Sequence, residues 1–359
     1  MRLLDRYIGT SIISSLLVVT SVLVALFTFM SFFEQLDDIG RGQYDTGQAV
    51  LYTLLNIPSL VYQLMPMATL LGCIIGLGLL ANNSELIVIR SAGVSLARIA
   101  WSVIKIGILV IAVLILVGEW LAPKSLQIAQ QMRANALSNN VNIGTRAGLW
   151  AKDGLTMINA KELLPGDRLG DVSIYRLDPQ YRLVELMRAE FAAYRDGQWT
   201  LNNVVSSKLS GDTPASEKVT TEHHATLNWN TSISPDLINV VAVKPDTLSV
   251  WELFQYTQYL RKNGLSAKRF EQVLWSKFTT PVITMLMVVL SIPLVFGSMR
   301  SVSISQRIFV GVLIGVGFNI LNRLANYAGL VYDLNIAVYM LLPIALAAIF
   351  TYFMYKRVY

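Results

Sequence analysis

Residues 8–33, IGTSIISSLLVVTSVLVALFTFMSFF, contain no charged side chain and exceed the roughly 20 residues that cross a bilayer as a helix. The run is too long for the apolar core of a secretion signal and lacks a small-residue cleavage site, so it is expected to stay as a membrane anchor. Further charge-free runs extend from Thr46 to Asn83, from Phe278 to Met299 and from Leu334 to Tyr355. The stretches Ile99–Gly118 and Ile308–Asn322 contain or abut one charge each. In a chain of 359 residues, 54% hydrophobic and 14% charged, these blocks predict a membrane α-helical protein with six transmembrane helices.

The polar segments between the runs sort by sign. Arg2 and Arg6, Arg90 and Arg98, Arg300 and Arg307, and Lys356 and Arg357 mark one side, which the positive-inside rule makes cytoplasmic. The alternate short loops carry Glu34, Asp37, Asp38 and Asp45 against Arg41, and then Asp333. Both termini are therefore expected in the cytoplasm, and the long polar stretch between the third and fourth spans in the periplasm. The formal charge of +6 follows from these flanks; no basic stripe with interleaved aromatics points to a nucleic acid. The single cysteine, Cys73, lies inside an apolar run, so no intramolecular disulfide can staple the polar stretch.

That stretch changes period. Alternation in Ala225-Thr226-Leu227-Asn228-Trp229-Asn230 reads as a half-buried strand, and Asp153-Gly154, Asp178-Pro179 and Asp196-Gly197 read as turns, so an all-β domain interrupts the helices. Ser249 with Glu252 is a candidate capping box and Asn263-Gly264 a candidate C-cap, bracketing a helix expected at the membrane surface. The expected organisation is residues 1–122 as spans one to three with a short cytoplasmic helix at 84–93, 123–250 as the β domain, and 251–359 as the interfacial helix and spans four to six. Pro58 and Pro66 in the long second run predict a kink or a protrusion beyond the bilayer.

Little in the sequence supports covalent chemistry. No glycine-rich loop ending in Lys-Ser or Lys-Thr is present, so ATP hydrolysis by a P-loop is not expected of this chain. His223 and His224 are adjacent in a strand-like segment and would face opposite ways, against a metal or triad role. Segment 84–93 reads as a short capped helix with Glu85 at its positive end and Arg90 at its negative end, with partner docking and simple connection as equal readings. Lys105, one to two turns from Arg98, is expected to snorkel to the inner surface. Asn319, Asn322, Arg323 and Asn326 place a polar face on the outer half of the fifth span, where a lined cavity is preferred over lipid. Arg133 is a candidate partner for substrate phosphate.

Several blocks resemble one family. They are Leu4-Asp5-Arg6-Tyr7-Ile8, Ser84-Glu85-Leu86 through Ser91-Ala92-Gly93, Gly118-Glu119-Trp120 with Ala122-Pro123, Gly148-Leu149-Trp150-Ala151-Lys152, Pro245-Asp246 with Leu248-Ser249, Ser276-Lys277, and Phe296-Gly297 with Arg300-Ser301. In order and over essentially the whole chain they are similar to the lipopolysaccharide-export permeases LptF and LptG, the tryptophan-containing blocks favouring the G branch.

The resemblance implies a β-jellyroll for the inserted domain and an inner-membrane location. It implies lipopolysaccharide as substrate, with membrane lipids around the spans. Implied partners are the paralogous permease LptF, a homodimeric cytoplasmic ATPase, LptB, and a single-span periplasmic β protein, LptC. No cofactor is implied for this chain itself, ATP and Mg belonging to the ATPase. By resemblance Glu85, Leu86, Ile89 and Arg90 would form the ATPase-coupling helix. The substrate-binding set becomes Phe32, Arg133, Asn319, Asn322, Arg323 and Asn326, with the first and fifth spans lining a cavity shared with the partner permease. Related G subunits carry lipid-engaging lysines where this chain has Ser31, Asp37, Asp38 and Ser59. A lipid-modifying membrane enzyme would need clustered catalytic groups at one membrane face, which are missing, and a signalling permease that moves no lipid is the remaining rival.

Overall fold

The computed structural model describes residues 2–137, 149–164, 168–195, 198–210, 218–231, 233, 235, 245–297, 303–332 and 334–356. Gly148, the turn at Asp196-Gly197, the cations Arg300 and Arg357, Ser301 and Asp333 lie outside the described residues. The chain forms two compact units, Met1–Ile39, Thr46–Ala129 and Lys268–Tyr359 in one, Gly40–Asp45 and Gln130–Ala267 in the other.

The first unit is helical. Its elements are α1 (Arg2–Leu36), α2 (Thr46–Asn82), α3 (Glu85–Ser91), α4 (Leu96–Leu116) running through a π-helical turn (Val117–Leu121) into α5 (Ala122–Leu137), then α7 (Lys268–Phe296), α8 (Ile304–Val331) and α9 (Ile336–Lys356). Among the described residues six helices are long and apolar enough to cross a membrane, one from each expected run. Pro58 and Pro66 leave α2 unbroken over 37 residues, or about 55 Å, longer than a bilayer core requires.

α2 is the most enclosed helix and α1 packs along it. Glycine makes that approach possible. A Cβ at Gly72 would lie 2.7 Å from Leu16 Cα, and one at Gly76 2.8 Å from Ile12 Cα. The two glycines are one turn apart, the small-residue spacing that lets membrane helices touch backbone to backbone. Ser11 Oγ donates to the Gly76 carbonyl at 3.0 Å, satisfying the hydroxyl inside the contact. Around this seam Ile8, Ile12, Leu70, Ile74, Leu77, Ile99 and Val288 are buried.

The second unit is built on one sheet. Its strands are β1 (Leu149–Asp153), β2 (Thr156–Leu164), β3 (Arg168–Leu177), β4 (Leu183–Arg195), β5 (Gln198–Ser210) and β6 (Lys218–Trp229). Each pairs antiparallel with its sequence neighbour, so among the described residues the β domain is an up-and-down meander. Strand alternation sends Ile158, Val172, Ile174, Met187, Ala189, Leu201 and Val204 to the buried face. Trp199 joins them, its indole N–H donating to the Ile233 carbonyl at 2.8 Å. The loop residue Tyr44 is also buried in this unit.

Two of the expected turns form as read. Gly154 takes φ +60° between β1 and β2. Between β3 and β4, Asp178 Oδ1 accepts from the Gln180 and Arg182 amides (2.9 and 2.8 Å), and Oδ2 accepts from Arg182 Nε at 2.8 Å. The Arg182 backbone N–H, helped by its guanidinium and the Gln180 amide, holds the Asp178 carboxyl below the usual carboxylate range.

The capped helix is α6 (Val250–Lys262), with the complete Ser249–Glu252 capping box, and Gly264 at φ +64° ends it. Its company differs from the expected grouping with spans four to six: α6 belongs to the β unit. Leu253, Tyr256 and Leu260 are buried, the Tyr259 hydroxyl donates to the Lys152 carbonyl at 2.8 Å, and Asn263 Oδ1 accepts from the Gly154 amide at 2.8 Å. The unit boundaries accordingly fall at Ala129 and Ala267 instead of at residues 122 and 250.

Candidate functional site

The helical unit holds a partly open cavity of about 760 Å³ between α1, α2, α7 and α8. Leu23, Leu26 and Phe27 of α1, with Met67 of α2 and Val316 of α8, make most of it apolar, so hydrocarbon can fill it without stranding polar groups. One flank is polar: Asn319, Asn322 and Arg323, spaced so that a single face of α8 presents them together. Among the described residues Arg323 has no acidic partner and no hydrogen bond, leaving its five donors for a ligand.

Other expected residues fall elsewhere. Asn326 continues the same face one turn beyond the cavity and does not line it. Phe32 is also outside: five residues past Phe27 it is turned about 140° round α1, and its ring stands edge-on to Phe33 at 6.5 Å. Arg133 is half-buried in the part of α5 that belongs to the β unit. The wall from the second and fourth spans, including Tyr62, Gln63, Ser276 and Thr280, was not expected. Ser59 is buried and accepts from Gln63 Nε2 at 3.3 Å.

At the far end of the same unit α3 forms over Glu85–Ser91 with a different start from the one expected. Ser84 takes φ +60° and its hydroxyl does not cap the helix. The end is well made: the Gly93 amide donates to the Arg90 carbonyl and the Val94 amide to the Ile89 carbonyl, with Gly93 at φ +87°. Glu85 lies in the first turn, its Oε2 accepting from the Tyr7 hydroxyl at 2.6 Å and its Oε1 from Asn83 Nδ2 at 3.4 Å. Leu86, expected in the docking set, is 3% exposed and anchors α3 to the helical core. Ile89 packs partly against that core, while Arg90, Ile87 and Val88 are exposed.

Lys105 does not simply snorkel. Arg98 and Lys105 both reach Asp5 Oδ2, at 3.0 and 2.9 Å, and Ser102 Oγ donates to Asp5 Oδ1. Asp5 on α1 thus bridges two cations of α4. Among the described residues no group of three His, Cys, Asp or Glu side chains could hold a metal, and His224 instead sits 3.6 Å from Glu222.

These features, an apolar cavity with one cationic flank inside a six-helix unit plus an inserted β unit, meet a consistent set of relatives. Residues 6–357 match the family described as lipopolysaccharide export system permease LptF/LptG. The chain is 35% identical over 356 residues to the lipopolysaccharide export system permease protein LptG of Haemophilus influenzae, covering 99% of this chain and 98% of that protein. It is 34% identical over 344 residues to the LptG protein of Escherichia coli, covering 95% and 94%. With nearly the whole of each chain aligned, this chain belongs to the LptF/LptG family of lipopolysaccharide export system permeases.

Proposed function

We propose that this chain is a permease subunit of an inner-membrane ABC transporter that withdraws lipopolysaccharide from the outer leaflet and drives it toward the outer membrane through a periplasmic bridge. The observation that carries the reading is the cavity: hydrocarbon walls from Leu23, Phe27, Met67 and Val316 beside the Asn319–Asn322–Arg323 flank. Acyl chains suit the first surface. A lipid phosphate suits the second, because a guanidinium makes bidentate charge-assisted hydrogen bonds to phosphate oxygens.

In this reading the positively charged flanks face the cytoplasm, the β unit is a periplasmic domain, and a paralogous permease, LptF, completes the lipid path. ATP and Mg act on a homodimeric LptB, which would engage α3 through Glu85 and Arg90, with Ile89 beside them; LptC would extend the β domain. Closure of the ATPases would favour a narrowed cavity and expel its lipid, a population shift driven by differential ATP affinity. This chain does mechanical work and no bond chemistry. The test is to purify the assembled complex and identify its bound lipid by mass spectrometry. Lipopolysaccharide enriched over its membrane share is expected, whereas phospholipid in bulk proportion would favour a signalling permease that moves no lipid.

A further inference from the structure

Lys277 and Gly118-Glu119 do not line the cavity described above, yet they meet across 159 residues of sequence. The Lys277 side chain, 8% exposed, lies inside the helical unit, where an unpaired ammonium would be costly. It is held three ways. Its Nζ donates to the Gly118 carbonyl at 2.6 Å, lies 3.6 Å from Glu119 Oε1 and stands 5.4 Å above the centre of the Tyr62 ring. Gly118 belongs to the π-helical turn that follows α4, and such a turn breaks the regular ladder and frees a carbonyl for an outside donor.

The turn also fixes Tyr62. A Cβ on Gly118 would come within 2.3 Å of Tyr62 Cε2 and 2.5 Å of Cδ2, so only glycine lets the ring lie against this backbone. The ring is thus confined by Gly118 and by the Lys277 ammonium at its face. Tyr62 and Ser276, the neighbour of Lys277, both line the cavity. We propose that Lys277 is a positioning residue for lipid uptake: clamped on the π turn, it keeps the Tyr62 ring against Gly118 and out of the space that acyl chains occupy. The inference rests on the cavity being the lipid site.

The test places a photoreactive residue at Val316 in the assembled complex and measures lipopolysaccharide adduct per complex recovered. Lys277→Met removes the cation–π hold and should lower the adduct by about fivefold, while Lys277→Arg retains it. Gly118→Ala, with Lys277 intact, pushes the ring by direct overlap and should lower the adduct likewise. Adding Tyr62→Leu to either variant deletes the obstructing ring and should restore the adduct, which a lysine needed only for folding would not allow. Unchanged adducts in Lys277→Met or Gly118→Ala, or no recovery with Tyr62→Leu, would overturn the inference while leaving the lipid site standing. No adduct in the parent chain would remove the lipid site and this inference with it. If Lys277→Met does not assemble, Gly118→Ala with and without Tyr62→Leu decides alone.

Discussion

The Tyr7 hydroxyl donates a 2.6 Å hydrogen bond to Glu85 Oε2, tying the first turns of α1 to the first turn of α3. Two residues earlier Asp5 binds Arg98 and Lys105 of α4, so one short stretch of α1 holds both sides of the connector that carries α3. Among the described residues Tyr7 leaves Glu85 Oε1 with only the long contact from Asn83, open to a cation on a partner. Tyr7→Phe should therefore leave the chain folded and weaken recovery of the ATPase by a few fold, through lost ordering of the carboxylate. Glu85→Lys should abolish that recovery, since losing one member of a charge pair that a partner desolvates costs about 2 to 5 kcal/mol. Co-purification of the ATPase with each variant checks both outcomes, and normal recovery with Glu85→Lys would exclude α3 as the coupling element.

Arg323 supplies the cationic flank of the cavity, so its loss should show in how the lipid headgroup is discriminated. Arg323→Gln removes a charge-assisted contact worth about 1.5 to 3 kcal/mol, near the lower end here because Arg323 is exposed at the rim. Affinity for phosphorylated lipid A should fall about tenfold, while affinity for its dephosphorylated form stays the same. Equal losses for both lipids would mean that Arg323 does not read phosphate.

The α1–α2 seam should be intolerant of volume. Gly76→Leu forces a side chain against Ile12 and Ser11 backbone atoms less than 3 Å from its Cβ, and overpacking of this kind costs about 1 to 3 kcal/mol or more. Gly78→Ala, two residues on, meets nothing within 4 Å and should be neutral or slightly stabilising, since alanine is the better helix former. Thermal unfolding of the purified chain in detergent separates the two.

The β3–β4 turn should respond to acid. The carboxyl of Asp178 is held below its ordinary value of 3.8 by the Arg182 amide first and its guanidinium after it. A group whose folded pKa is depressed stabilises the fold above its unfolded pKa and loses that contribution as pH falls through the folded value. Amide exchange at Arg182 should therefore be slow at neutral pH and accelerate as pH drops below about 4, after correction for intrinsic rates. In Asp178→Ala it should be fast throughout.

Long-range pairing explains where sequence reading stopped. Charge-free runs locate the spans because exclusion of charge is local, and the Ser249–Glu252 capping box is legible because both partners lie within one turn. The polar face of Asn319, Asn322 and Arg323 follows from helical spacing alone, but spacing says nothing of where the cavity ends, so Asn326 reads as its equal. Phe32 reads as a substrate-binding candidate on the first span, but its direction on α1 turns it away from this cavity. Lys277 with Glu119, and Tyr7 with Glu85, join segments that only the folded bundle brings together. α6 shows the same limit: its caps are local, while the choice of Lys152 and Gly154 as partners for Tyr259 and Asn263 is made by the fold.

Lipopolysaccharide should occupy this cavity and leave it on ATP hydrolysis. A photoreactive residue at Asn322, on the cavity flank, should give lipopolysaccharide adducts in native membranes, and these should decline when ATP and Mg are supplied to the assembled complex. The same residue at Leu109, exposed on α4 away from the cavity, should label bulk phospholipid regardless of ATP. Absence of lipopolysaccharide adducts at Asn322, or adducts there that match Leu109 and ignore ATP, would show that lipopolysaccharide does not pass through this cavity.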